Sequence, residues 1–73
     1  MKEKIYKYCA NFSKNLKNER LSRKLTQKQV AEMINIKTQS YQAYEKGLSL
    51  PSVENLIKIS IVLQVSIDDL FEI

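Results

Sequence analysis

The side chains best equipped for chemistry in this chain make hydrogen bonds rather than break covalent ones. Between Thr26 and Gly47 the sequence reads TQKQVAEMINIKTQSYQAYEKG. Its amides and hydroxyls are donors and acceptors at once. On a helix over Thr38–Lys46, Gln39, Gln42 and Ala43 point outward and Tyr41 and Tyr44, three residues apart, point inward. Two short helices joined by a three-residue turn can present one of them to the DNA major groove. Covalent chemistry, by contrast, lacks its parts. There is no His, which excludes most catalytic bases and metal sites. Cys9 is alone, so no internal disulfide and no thiolate zinc site is expected. It falls on an apolar helical stripe and reads as a small core residue. No nucleophile, base and orienting group can be assembled, so an enzyme is not expected. Neither is a cofactor.

The elements that must position these residues are legible from spacing. Ile5, Cys9, Phe12 and Leu16, with Tyr8 beside them, mark one face of a first helix running to about Arg23. Arg23 and Lys24 suit its C-terminal dipole. Thr26 and Gln29 form a T-x-x-Q capping box for a second helix with Val30, Ala31 and Ile34 inside. Ala31 is small where two helices must cross. Asn35 tolerates the left-handed conformation that ends this helix. Lys37 is a poor N-cap, so the third helix is expected from Thr38 to Lys46, with Gly47 as its C-cap. Leu48–Pro51 is a loop. A fourth helix begins near Ser52, with Leu56, Ile59, Ser60 and Leu63 inward. Ser66 and Asp69 read as a second capping box, opening a short helix with Ile67, Leu70 and Phe71. The pattern is all-α, with five helices.

Seventy-three residues make one domain at most, and so short a chain buries only about 60% of its unfolded surface. No apolar run nears the roughly 20 residues that span a bilayer. The N-terminus is too polar for a signal peptide, so no membrane association and an intracellular, cytoplasmic location are expected. The net charge of +4 hides an asymmetry. Residues 1–46 hold eleven Lys/Arg against four Asp/Glu, a balance of +7, and residues 47–73 hold one against four, a balance of −3. That is the footprint of a nucleic-acid binder, and equally that of a basic solvated surface.

Four segments in order carry a resemblance: R20-x4-L25-T26-Q27-x2-V30-A31, Y44-E45-K46-G47, P51-S52-x-E54-x-L56-x-K58-I59, and V65-S66-I67-D68-D69-L70-F71. Together they resemble the Cro/phage-repressor (XRE-like) helix-turn-helix transcriptional regulators over about residues 12–71, with residues 1–11 as an N-terminal extension of the first helix. The resemblance implies a compact five-helix, lambda-repressor-like DNA-binding domain over residues 1–73, its helix-turn-helix formed by helices two and three. It implies base reading by Thr38, Gln39, Gln42 and Ala43, with Gln39 the strongest candidate because glutamine bonds adenine bidentately. It implies backbone contacts from Thr26, Gln27, Lys28, Lys37, Ser40, Tyr44 and Lys46, Gln27 also bracing the recognition helix. Each of these, taken singly, also reads as an ordinary surface residue. It makes Arg20 and Glu45 a largely buried ion pair of structural role.

By the same resemblance, the fourth and fifth helices form a two-fold interface. Ile57, Ile61, Val62, Phe71 and Ile73 are the residues expected there, and a homodimer would place two recognition helices roughly 34 Å apart on a palindrome. The partner is double-stranded DNA, with no small-molecule ligand expected. An antitoxin or adaptor that keeps the fold and binds protein is the alternative, and it would want an apolar recognition face. The chain departs from the family pattern in several places. Asn35 replaces a common Gly, and Glu19 stands where an apolar residue is usual. Tyr41 and Tyr44 replace aliphatic residues and could turn their hydroxyls to phosphate. The loop Leu48-Ser49-Leu50 has no basic residue, which implies fewer phosphate contacts and a shallower salt dependence.

Overall fold

Caps and left-handed residues cut the computed structural model, which describes residues 1–73, into five helices and no strand. These are α1 (Lys2–Ser22), α2 (Gln27–Met33), α3 (Thr38–Lys46), α4 (Val53–Leu63) and α5 (Ile67–Phe71). The Thr26 box closes in both directions: Gln29 N–H donates to Thr26 Oγ1 at 3.0 Å, and Thr26 N–H donates to Gln29 Oε1 at 2.8 Å. Ser52 Oγ caps α4 by accepting from Asn55 N–H at 3.1 Å. At α5 only half of the expected box forms, since Ser66 Oγ accepts from Asp69 N–H without the reciprocal bond that marks the box at α2. Asp lacks the methylene that lets Gln29 reach back to its cap. Lys37 contributes no side-chain cap, and α3 starts at Thr38 as expected.

With one glycine in the chain, most helix ends fall to ordinary residues. Gly47 ends α3 at φ +75° and Asn35 makes the turn at φ +59°. Lys24, Gln64 and Glu72 also adopt positive φ, at +57°, +52° and +59°. Sequence reading missed these three because they carry no left-handed preference. Each costs about 1–2 kcal/mol of local strain, held by its surroundings.

The core comprises Phe12, Leu16, Val30, Ala31, Ile34, Tyr41, Tyr44, Ile59, Leu63 and Leu70. α1 packs on α3 and α5, α2 on α3, and α4 on α5. The Phe12 and Phe71 rings stack at 4.9 Å, joining the first helix to the last. Asn15 Nδ2 reinforces that joint by donating to Leu70 O at 3.0 Å and Glu72 Oε2 at 2.9 Å. At the other end of α1, Arg23 Nη1 donates to the Glu19 carbonyl at 2.9 Å and ion-pairs with its carboxylate at 2.6 Å, which gives the unusual Glu19 a partner.

Two expectations about α1 are corrected. Ile5 lies on the apolar stripe yet is exposed, and Cys9 is half-buried rather than a core residue. The first two turns extend past the bundle, so the stripe outruns the surface it can cover. Cys9 lines an open groove of about 640 Å³ with Tyr6, Ala10, Ser13 and the segment Lys46–Leu50. No helix is long and apolar enough to cross a membrane.

Candidate nucleic-acid interface

The turn between α2 and α3 is built from backbone bonds. Asn35 N–H donates to Glu32 O at 3.1 Å and Ile36 N–H donates to Ala31 O at 2.9 Å, so the chain reverses within three residues. Ala31 is fully buried, which keeps the two helix backbones close. Tyr41 and Tyr44 anchor α3 from below, their rings edge-on at 6.3 Å. The remaining face of α3 is turned outward. Gln39, Ser40 and Lys46 are exposed, while Thr38, Gln42 and Ala43 are half-buried along its flanks. Thr26, Lys28 and Lys37 are exposed around the same two helices, and Gln27 is half-buried between them.

Beneath this face lies a saturated carboxylate. Glu45 Oε1 accepts from Arg20 Nη2 at 3.0 Å and from Gln27 Nε2 at 3.1 Å. Glu45 Oε2 accepts from Arg20 Nε at 2.7 Å and from the Tyr41 hydroxyl at 2.5 Å. Four donors fill the roughly four lone-pair positions a carboxylate offers. Arg20 also donates through Nη1 to Leu25 O at 2.9 Å, which ties α1 to the segment before α2. The two side chains are 9% and 3% exposed, so the ion pair has little water to compete with. Burial alone would push Glu45 up, but hydrogen bonds from Arg20, Tyr41 and Gln27 outweigh it and hold the carboxyl below its ordinary range. Arg20 is raised, chiefly by its bond to Glu45. Tyr41 is raised, first by burial and then by donating to that same carboxylate.

Some residues considered for DNA contact are therefore committed elsewhere. The Tyr41 hydroxyl, considered for phosphate, is spent on Glu45 inside the fold. The Tyr44 hydroxyl accepts from Asn55 Nδ2 at 3.2 Å, linking α3 to α4 and leaving its own proton to donate. Both tyrosines departed from the family pattern, and the aliphatic residues usual there could not make these bonds. Gln27 passes its bracing on: Gln42 Nε2 donates to Gln27 Oε1 at 3.1 Å. Sequence reading placed Gln42 outward and did not find this contact, because the spacing of 15 residues crosses the turn.

The residues considered for an interface between copies divide in two. Ile57, Ile61 and Ile73 are exposed, Ile61 to 70%. Val62 and Phe71 are half-buried against the core, Phe71 through its stack on Phe12. Val53, unmentioned in the sequence reading, is exposed and extends the row Ile57–Ile61 at four-residue spacing along α4. The i,i+4 spacing Val53–Ile57–Ile61 within the helix expected from Ser52 is the signal that points to it.

Comparison with known proteins gives a consistent picture. A family model described as Helix-turn-helix matches residues 16–70. The chain is 47% identical over 55 residues to the cryptic phage CTXphi transcriptional repressor RstR of Vibrio cholerae serotype O1 (strain ATCC 39315 / El Tor Inaba N16961), covering 75% of this chain and 49% of that protein. It is 44% identical over 61 residues to the uncharacterized HTH-type transcriptional regulator YqaE of Bacillus subtilis (strain 168), covering 84% and 53%. It is 35% identical over 68 residues to the uncharacterized HTH-type transcriptional regulator RC0668 of Rickettsia conorii (strain ATCC VR-613 / Malish 7), covering 93% and 54%. The chain thus spans about half the length of the curated relatives it matches. No solved structure matches it.

Proposed function

The chain belongs to the Cro/C1-type, XRE-like helix-turn-helix family of transcriptional regulators, and from that premise we propose that it is a sequence-specific repressor that reads a short palindromic operator as a homodimer. Each copy lays α3 in the major groove, a width that admits one helix. Thr38, Gln39, Gln42 and Ala43 face base edges. Thr26, Gln27, Lys28, Lys37, Ser40, Tyr44 and Lys46 meet the sugar-phosphate backbone. The exposed row Val53, Ile57 and Ile61 on α4, with Ile73, supplies the apolar surface for a second copy. Residues 1–73 act as one DNA-binding domain, in which residues 2–11 lengthen α1.

One observation carries this reading. The outward face of α3 is polar, is flanked by exposed Lys28, Lys37 and Lys46, and is fixed from beneath by the four-donor carboxylate of Glu45. A rigid polar face with cations at its margins suits base edges bordered by phosphates. An adaptor docking protein through α3 would want an apolar face there. Selection from random double-stranded sites at controlled salt tests the proposal. A short inverted repeat is the expected product, with affinity falling as salt rises. Each lysine that neutralises a phosphate adds about 0.9 to the log–log slope. Salt-sensitive binding without base preference would reject it.

A further inference from the structure

We infer that the first two turns of α1 form part of the dimer interface, packing on the α4–α5 side of a second copy. The inference rests on the proposal that the chain works as a homodimer. It starts from the face of α1 that meets α5. Asn11 Nδ2 donates to Phe71 O at 3.4 Å, Phe12 stacks on Phe71, and Asn15 Nδ2 donates to Leu70 O at 3.0 Å. Two turns earlier, on the same face, stand Lys4, Ile5 and Tyr8. The α5 helix ends at Phe71, so this part of the face runs past it. Ile5 is 52% exposed although it continues the stripe that buries Phe12 completely. On the other flank of the overhang, Tyr6 and Cys9 line the open groove together with Leu48 and Leu50. An apolar helix face is stabilised by lying against another surface, and the chain provides none here.

Three features make a second copy the surface that fits. The first is size. Val53, Ile57 and Ile61 with Ile73 are four residues, whereas a standard interface takes roughly 20–30 residues and about 800 Å² from each partner. The overhang and the loop beside it enlarge that patch. The second is continuity. Leu50, on the groove, stands three residues before Val53, which opens the α4 row, so the loop joins groove to row. The third is charge. Residues 2–8 hold three lysines against one glutamate, and residues 67–73 hold three carboxylates and no cation. Lys2, Lys4 and Lys7 form no ion pair within the chain, and neither do Asp68 and Asp69. A two-fold axis puts the same patch on both partners, residue i against j and j against i. A patch that is basic at one end and acidic at the other meets its complement under that rotation, and the apolar parts are buried in the same step.

Cys9 is a built-in reporter, because its thiol lines the groove that the second copy would cover. The experiment measures the rate of Cys9 alkylation by iodoacetamide, at fixed pH and salt, as the chain concentration is raised through the range where sedimentation equilibrium shows dimer forming. The expected result is a rate that falls as the dimer fills, and that stays fast at every concentration in the dimer-breaking variant Ile61→Lys. Ile5→Glu is expected to raise the dimer dissociation constant at least about tenfold, since a two-fold interface loses each contact twice. Its melting temperature, read at a dilution where the parent is monomeric, should match the parent because Ile5 is exposed. A Cys9 rate indifferent to dimer formation overturns the inference and leaves the homodimer reading intact. So does an Ile5→Glu chain that dimerises like the parent. Protection that appears only on adding duplex DNA would assign the overhang to the phosphate backbone and also overturn it. A parent chain that stays monomeric at high concentration overturns the homodimer reading, and the inference with it.

Discussion

Side chains from α1, α2 and α3 converge on Glu45. Its carboxylate receives α1 through Arg20, the start of α2 through Gln27 and its own helix through Tyr41. Such a pair need not exceed an apolar replacement in net stability, but removing one partner leaves the other buried and unpaired. Glu45→Ala is expected to destabilise the fold by about 3–5 kcal/mol, seen as a lower midpoint in denaturant; an unchanged midpoint would contradict the structural role. The same residue sets the acid limit. Its folded-state value lies below the unfolded carboxylate value, so its stabilisation is complete above about pH 4.3 and is lost as pH falls through the folded value. Glu72 shifts the same way, held chiefly by the Asn15 amide. Melting temperature measured against pH should therefore be level from neutrality to about pH 5, helped by the absence of histidine, and fall below it. Glu45 and Arg20 were legible as a pair from the family spacing. The part of Tyr41 was not, because its ring reads as core and its hydroxyl meets the carboxylate one helical turn on.

At the scale of elements, the local signals were strong where a cap has a chemical signature. Thr26 with Gln29, Ser52, Asn35 and Gly47 all stand where their side chains or backbone freedom place them. Ends without such a signature were harder to read. α4 stops at Gln64 in a left-handed conformation, and nothing in glutamine announces it. The side chain is exposed, so replacing it removes strain without emptying the core. Gln64→Gly is expected to raise stability by about 0.5–1 kcal/mol, the net of relieved strain and the greater entropy of an unfolded glycine. Calorimetry on the variant checks this, and a lower midpoint would mean that the Gln64 side chain holds the α4–α5 joint. The first turns of α1 give the opposite lesson. Ile5 and Cys9 keep perfect helical spacing, but no partner element lies across from Ile5, so periodicity alone overstated the buried face.

At the scale of the whole molecule, the proposed dimer depends on which apolar residues are free to meet a second copy. The apolar residues of the last two helices are not equivalent. Phe71 is engaged with Phe12 and Val62 with the core, while Val53, Ile57 and Ile61 project from one side of α4. Ile61→Lys should leave the fold intact, since the residue is 70% exposed. It should convert the proposed dimer to a single 8.5 kDa chain in sedimentation equilibrium and weaken binding to an inverted repeat far more than to one half-site. A variant that still sediments as a dimer would move the interface away from α4. Phe71→Lys does not make the same test, because it would break the aromatic stack that joins α1 to α5.

The sequence by itself determined the five helices, the turn between the second and third, the Arg20–Glu45 pair and the family. The helices and the turn follow from short-range chemistry: capping groups, a left-handed Asn and Gly, and apolar residues at helical spacing. The Arg20–Glu45 pair, 25 residues apart, followed only from the resemblance to the family. The tertiary structure alone decided which hydrogen bonds join residues distant in the chain. Gln42 to Gln27, Gln27 to Glu45, Asn55 to Tyr44 and Asn15 to Glu72 connect residues 11 to 57 positions apart. A polar side chain carries no periodicity that reveals its partner, and its partner exists only once packing of the apolar faces has fixed the distance between helices.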